Sequence, residues 1–98
     1  MSFKPVLLDR AHHELIEAWE WYEDKQTGLG DKFIKEVYDA INHIAIHPKH
    51  FPQRKRPYRE SLIKIFPYVI IYRILEKEKL IIISSIFHTS RNPRKKYK

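Results

Sequence analysis

Near Pro48 the hydrophobic period of this chain switches from helical to extended, and that switch does most to limit the folds open to it. Before it, Ala11, Leu15, Ala18, Trp19 and Tyr22 recur at helical spacing, with Glu14, Glu17, Glu20 and Glu23 between them. This predicts an amphipathic helix over residues 10–25, with Asp9 as its N-cap and the carboxylates on solvated faces. Trp19 and Trp21 would point about 200° apart on such a helix, so at most one of them joins a core. The only two glycines form Thr27-Gly28-Leu29-Gly30. That run is too short to cradle a phosphate and reads as a helix-to-helix turn. A second helix over residues 29–47 carries a stripe of Phe33, Val37, Ala40, Ile41 and Ile44, and Pro48 ends it.

Beyond a polar, proline-punctuated loop at 48–57, β-branched and aromatic residues dominate. Strands are expected at 58–63, 65–75 and 80–87, the last two joined by a polar turn at 76–79 into an antiparallel hairpin. Residues 3–8 form a leading apolar run, and 89–98 a basic tail in which Pro93 prevents the strand from continuing. The expected fold is α+β in the order β-α-α-β-β-β: an N-terminal strand and a helical hairpin packed on a small, mostly antiparallel sheet. All 98 residues make one domain. There is no cysteine to form a disulfide or a thiolate metal site. Lys4, Pro5, Asp9 and Arg10 interrupt any signal-peptide core, and no run approaches the length of a membrane span. A cytoplasmic protein without membrane contact is therefore expected.

Charge is unevenly divided. Residues 1–48 hold 5 Lys and Arg against 9 Asp and Glu, whereas residues 49–98 hold 14 against 3. The segments 49–59 and 91–98 each carry five basic residues and no acidic one. Such segregation favours a polyanion or an acidic protein as partner.

Motifs for chemistry are sparse. His43, His47 and His50 have helical spacing, but no carboxylate sits between them in a zinc-protease pattern and no further ligand is evident, so neither a metal nor a cofactor is expected. No nucleophile elbow is present. What remains is a cationic set around the sheet: Arg59, Lys64, Arg73, His88 and Arg91. If the strands pair as expected, arginines gripping a phosphate beside a proton-shuttling histidine would suffice to cut RNA through its 2′-hydroxyl without a metal. With equal economy, His88 ends a strand structurally and the arginines pair with Glu60, Glu76 or Glu78.

The runs Tyr22-Glu23, Gly28-Leu29-Gly30, Phe33, His47-Pro48, Phe51-Pro52, Tyr58-Arg59, Phe66-Pro67-Tyr68, Ile71-Tyr72-Arg73 and Phe87-His88-Thr89-Ser90-Arg91-Asn92-Pro93 occur in this order. Together they resemble the RelE/ParE superfamily, the toxins of bacterial type II toxin–antitoxin pairs, often called plasmid stabilisation proteins. The resemblance implies growth inhibition, neutralisation by an acidic antitoxin and a hetero-oligomer with it. It implies one of two targets: the ribosome and its mRNA, cut by RelE-like members, or DNA gyrase, blocked by ParE-like members. The resemblance matches Arg91 to the family's late arginine, Tyr97 to its tail tyrosine and His88 to a strand-end histidine of some nuclease members. In a nuclease His88 would be acid or base and Arg59 and Arg91 would stabilise the phosphate charge, with Lys64, Arg73, Arg94, Lys95, Lys96 and Tyr97 as candidate binding residues. RelE-like nucleases carry a base three positions before the tyrosine that matches Tyr72, and here that position is Val69. The Gly-Leu-Gly turn, the Phe-Pro-Tyr segment and the His-x-x-Arg-Asn-Pro ending are similar to the ParE branch, which is the expectation. The alternatives are the mRNA endonuclease and a non-toxic binding module of the same fold.

Overall fold

The computed structural model describes residues 2–97. In chain order the elements are β1 (Lys4–Leu7), α1 (Asp9–Lys25), α2 (Leu29–Ile46), β2 (Gln53–Lys55), β3 (Tyr58–Leu62), β4 (Tyr68–Leu75), β5 (Leu80–His88) and a 3₁₀ turn, Pro93–Lys95. One sheet holds all five strands in the order β1-β5-β4-β3-β2, parallel only between β1 and β5. The expected α+β architecture is present, with one strand more than the sequence suggested. Gln53–Lys55 is fully exposed and carries no apolar alternation; only its pairing with Tyr58 and Arg59 makes it a strand. Asp9 is also placed differently: it is the first helical residue, and Leu8, extended and without a side-chain cap, precedes it. β4 begins at Tyr68 rather than at 65, because Ile65 takes φ 75° and Pro67 has no N–H to offer a ladder.

The helical hairpin covers one face of the sheet. Ala11, Leu15, Ala18 and Tyr22 of α1 meet Phe33, Val37, Ile41 and Ile44 of α2 over Ile70, Tyr72, Ile81, Ile83 and Ile86. Val69, Ile71 and Phe87 point to the opposite face and form a second apolar cluster, against which Tyr58 and Tyr97 pack. Because both faces are covered, Val69–Ile71 of β4 and Leu80–Ile83 of β5 read as continuous apolar runs instead of alternations.

The Gly-Leu-Gly turn works through two separate requirements. Gly28 has φ +89°, a left-handed conformation that favours glycine. Gly30 sits where the two helices touch: a Cβ there would lie 2.6 Å from the Trp19 carbonyl oxygen and 2.6 Å from Cγ of Glu23. That closeness lets the Glu23 carboxylate accept from the N–H groups of Gly28 (3.2 Å), Gly30 (2.8 Å) and Asp31 (3.2 Å), satisfying donors that the start of α2 would leave unpaired. The indole N–H of Trp19 donates to Asp31 at 2.9 Å. Gly30→Ala is therefore expected to push the helices apart and lower stability by about 1–3 kcal/mol, measurable by urea unfolding. Unchanged stability would mean that the helices separate at no cost.

Candidate functional site

The cationic residues singled out in the sequence divide among three places. Arg59, on β3 opposite Tyr72, turns its guanidinium onto the loop after α2 and donates to the carbonyl of Phe51 at 2.6 Å. The Tyr72 hydroxyl donates to the Pro48 carbonyl at 2.7 Å beside it. Both side chains thus hold the 48–51 loop against the sheet, and burial pushes the Tyr72 phenol up to about 12.

His88 lies at the far end of β5 opposite Tyr68, four β4 positions from the Tyr72 level, so the structure does not bring it to Arg59. Its ring packs edge-on against Tyr68 at 4.9 Å. The backbone N–H of Ser90 donates to Nδ1 at 3.0 Å, and the Ser90 hydroxyl lies 2.7 Å from the same atom. An Nδ1 that accepts leaves the proton of a neutral ring on Nε2. Tyr68 and His88 line a cleft of about 420 Å³ beside α1, together with Glu17, Trp21 and Arg91. Burial raises the Tyr68 phenol to about 12, with smaller contributions from neighbouring groups.

Arg91 reaches the same cleft but is already engaged: its guanidinium donates to Oε2 of Glu14 at 3.0 Å. Glu14 is the group that the sequence pattern placed wrongly on a solvated face. Its side chain is only 10% exposed. Oε1 accepts from the Ser85 hydroxyl at 2.7 Å and the Ile86 N–H at 3.1 Å, while Oε2 also meets Nε of Arg10 at 3.4 Å. β1 ends at Leu7 opposite Ile83, so the outer edge of β5 beyond that point has lost its strand partner; the Glu14 carboxylate takes that place. A signal for it does exist in the sequence. Glu14 stands three residues after Ala11 and four before Ala18, and both small side chains let α1 approach the sheet closely.

The third place is the opposite face. After the turn at Pro93–Lys95 the tail folds back over the Val69–Phe87 cluster. Lys96 pairs with Oε1 of Glu60 at 3.1 Å, the Tyr97 hydroxyl donates to Oε2 of the same carboxylate, and Arg10 donates to the carbonyls of Lys95 and Lys96. Tyr97 stacks on Tyr58 with ring centroids 5.2 Å apart. Burial first, then the Glu60 hydrogen bond, raises its phenol well above the usual range. Val69, at 3% exposure, lies beneath this cover. Glu60, missed in the sequence as a buried group, is 9% exposed and anchors the tail; residue spacing could not reveal a partner 36 and 37 positions away. Arg73 projects from β4 opposite Ile82, Lys64 is exposed in the β3–β4 loop, and Arg94 and Lys95 are exposed in the tail. The three helix-end histidines gather: the His43 ring lies 5.2 Å from His47 and 5.4 Å from His50. Among the described residues no group of side chains is arranged to hold a metal ion, and no helix is long and apolar enough to cross a membrane.

The raised phenols set an alkaline limit. An unfolded tyrosine ionises near 10, whereas Tyr68 and Tyr72 hold their protons to about 12. The stabilisation is therefore complete below about pH 10 and is lost as the pH climbs towards about 12. Circular dichroism and phenolate absorbance followed together should show unfolding in that window; ionisation of all six tyrosines near pH 10 in a still-folded protein would contradict it.

A helical hairpin laid on a five-stranded sheet, with a basic tail returning over the far face, defines a class of small α+β folds. The family model described as the ParE toxin of the type II toxin–antitoxin system, parDE, matches residues 6–93, and the chain belongs to that family. The chromosomal ParDE toxin–antitoxin system of P. aeruginosa contains a chain that superposes with a TM-score of 0.77 at 13% identity, covering 91% of this chain and 98% of that one. The isolated E. coli RelE toxin superposes with a TM-score of 0.61 at 12% identity, covering 95% and 90% respectively. At these identities the two structures share the fold. No curated protein sequence matches the chain significantly.

Proposed function

We propose that this protein is the toxin of a type II pair, that an acidic antitoxin neutralises it, and that it stops growth by binding DNA gyrase without cutting nucleic acid. The observation that carries the non-nucleolytic part is the engagement of each candidate catalytic cation. Arg59 is committed to loop carbonyls and Arg91 to Glu14, in places separate from one another. Where a phosphate-contacting base would be expected on the central strand, Val69 is buried beneath the tail. A nuclease needs its acid, base and phosphate clamp converging within hydrogen-bond reach of one substrate, and the arginine that shares the cleft of His88, Arg91, is paired with Glu14. The gyrase target rests on membership of the ParE family.

Purified toxin should inhibit supercoiling by gyrase and leave mRNA intact on translating ribosomes, and His88→Ala should still arrest growth. Ribosome-dependent cleavage that His88→Ala abolishes would overturn the proposal and establish an endonuclease.

A further inference from the structure

We infer that the cleft between α1 and the end of β5 binds a guanine base, stacked against Trp21 and held at its edges by Glu17 and Arg91. The cleft lies on the helix face of the sheet, away from Val69 and the tail that covers it. Its volume of about 420 Å³ falls within the range of small-molecule sites. Ala18, Tyr22 and Ile86, all buried, give it an apolar floor. Trp21 lines it with an indole that is 57% exposed, and Tyr68 and His88 line it with a pair of rings set edge to face.

The polar groups around this floor differ in what they still have to offer. The Glu14 carboxylate is taken up by Ser85, Ile86 and two arginines. Glu17, one turn further along α1, is exposed and has no hydrogen-bond or ion-pair partner among the described residues. Arg91 uses one amino group on Glu14, and a guanidinium carries five N–H donors. His88 accepts from Ser90 at Nδ1, so its neutral ring has Nε2–H left to donate. Over an aromatic floor, the cleft thus combines an acceptor from α1 with donors from the end of β5.

That combination selects the ligand. A cation would meet Arg91, and also Lys25, whose ammonium already lies 4.8 Å from the centre of the Trp21 ring. An anion would meet Glu14 and Glu17. A neutral planar ring with donors on one edge and acceptors on another suits both sets. Guanine is such a ring: N1–H and the exocyclic amino group lie side by side for one carboxylate, and O6 and N7 accept from an arginine. Adenine and cytosine place an acceptor nitrogen beside the amino group, which a carboxylate repels, and uracil has one N–H between two carbonyls. Stacking on an indole tolerates every base, so the choice falls to Glu17.

Isothermal titration calorimetry of the full-length protein with GMP, IMP and AMP tests the site. GMP should bind. IMP, which lacks only the exocyclic amino group, and AMP should each bind at least about tenfold more weakly, the discrimination expected of one bidentate pair. Glu17→Gln and Trp21→Ala alter exposed side chains, so the fold should stand, as circular dichroism would check. Each should weaken GMP at least about tenfold, the first through the paired edge and the second through the stack. Absence of GMP binding, equal binding of GMP and AMP, or binding that both variants leave intact overturns the site. A short single-stranded RNA with one guanine among uracils identifies the source of the base. RNA binding tighter than that of GMP and weakened by both variants assigns the site to guanine within RNA, whereas RNA binding no tighter than that of GMP assigns it to the free nucleotide. RNA binding that both variants leave unchanged, without GMP binding, overturns the site and places nucleic acid elsewhere on the molecule. Supercoiling assays report separately on the gyrase reading, which none of these outcomes decides.

Discussion

Phe33→Ala should lower stability by about 3–5 kcal/mol, the range for removing a buried aromatic ring. Phe33 is fully buried, and its ring lies 5.3 Å from Tyr22, 5.1 Å from Phe66 and 4.9 Å from Tyr68. These four rings come from α1, α2, the β3–β4 loop and β4, so the cavity left by truncation opens where the hairpin meets the sheet. No single element can relax to fill it. A domain of this size has about 5–15 kcal/mol in total and shifts its melting temperature by about 4–8 °C for each kcal/mol. Thermal unfolding should therefore move down by more than about 12 °C, and the variant should expose apolar surface at growth temperature. Phe33→Leu, which keeps much of the volume, should lose less. The effect would reach the candidate site, because Tyr68 both packs on Phe33 and forms the floor beneath His88. A shift below about 5 °C would mean that the ring cluster contributes little to the union of helices and sheet.

The position of Phe33 was legible in the sequence for a physical reason: a helix that buries one face must repeat its apolar residues with the helical period. Phe33, Val37, Ile41 and Ile44 do so, and all four are buried. The same logic located the glycine turn and the β4–β5 hairpin. It did not reveal β2, whose Gln53, Arg54 and Lys55 bury nothing and owe their conformation to an edge pairing. The site was less legible than the fold. Spacing identified Arg59, His88 and Arg91 as candidates, but not that a loop carbonyl and a glutamate would claim the two arginines. Periodicity registers apolar burial directly, whereas a buried carboxylate shows only through its neighbours, as Glu14 does through Ala11 and Ala18, or not at all, as with Glu60. Glu14 and Glu60 are both of that kind, and both determine where neighbouring cations point.

Glu14→Ala is the corresponding test on the polar side, with an expected loss of about 2–4 kcal/mol from two donors left without acceptors. The Ser85 hydroxyl and the Ile86 N–H both donate to Oε1, and the strand edge offers neither a replacement, since β1 stops opposite Ile83. The arginines contribute less to the loss: Arg10 and Arg91 are 27% and 46% exposed at the side chain, so water can take over their donors. This division predicts a ranking. Glu14→Gln keeps a carbonyl oxygen for Ser85 and Ile86 but puts an amide donor where Oε2 accepted from Arg10 and Arg91, which can turn to water, so it should cost about 1 kcal/mol. Urea unfolding of the two variants separates the roles: a Gln variant as unstable as the Ala variant would assign the stabilisation to the ion pairs instead of the strand edge. The alanine variant should also self-associate more readily, because the stretch from Ser84 to His88 becomes an uncovered edge. It should loosen the tail as well. Arg10, released from Glu14, is the residue that holds the Lys95 and Lys96 carbonyls, and through them the cover over Val69. Faster proteolysis after Arg94 or Lys95 in Glu14→Ala and Glu14→Gln alike than in the unaltered protein would show that the carboxylate on α1, besides closing the open edge of β5, helps position the tail on the far face.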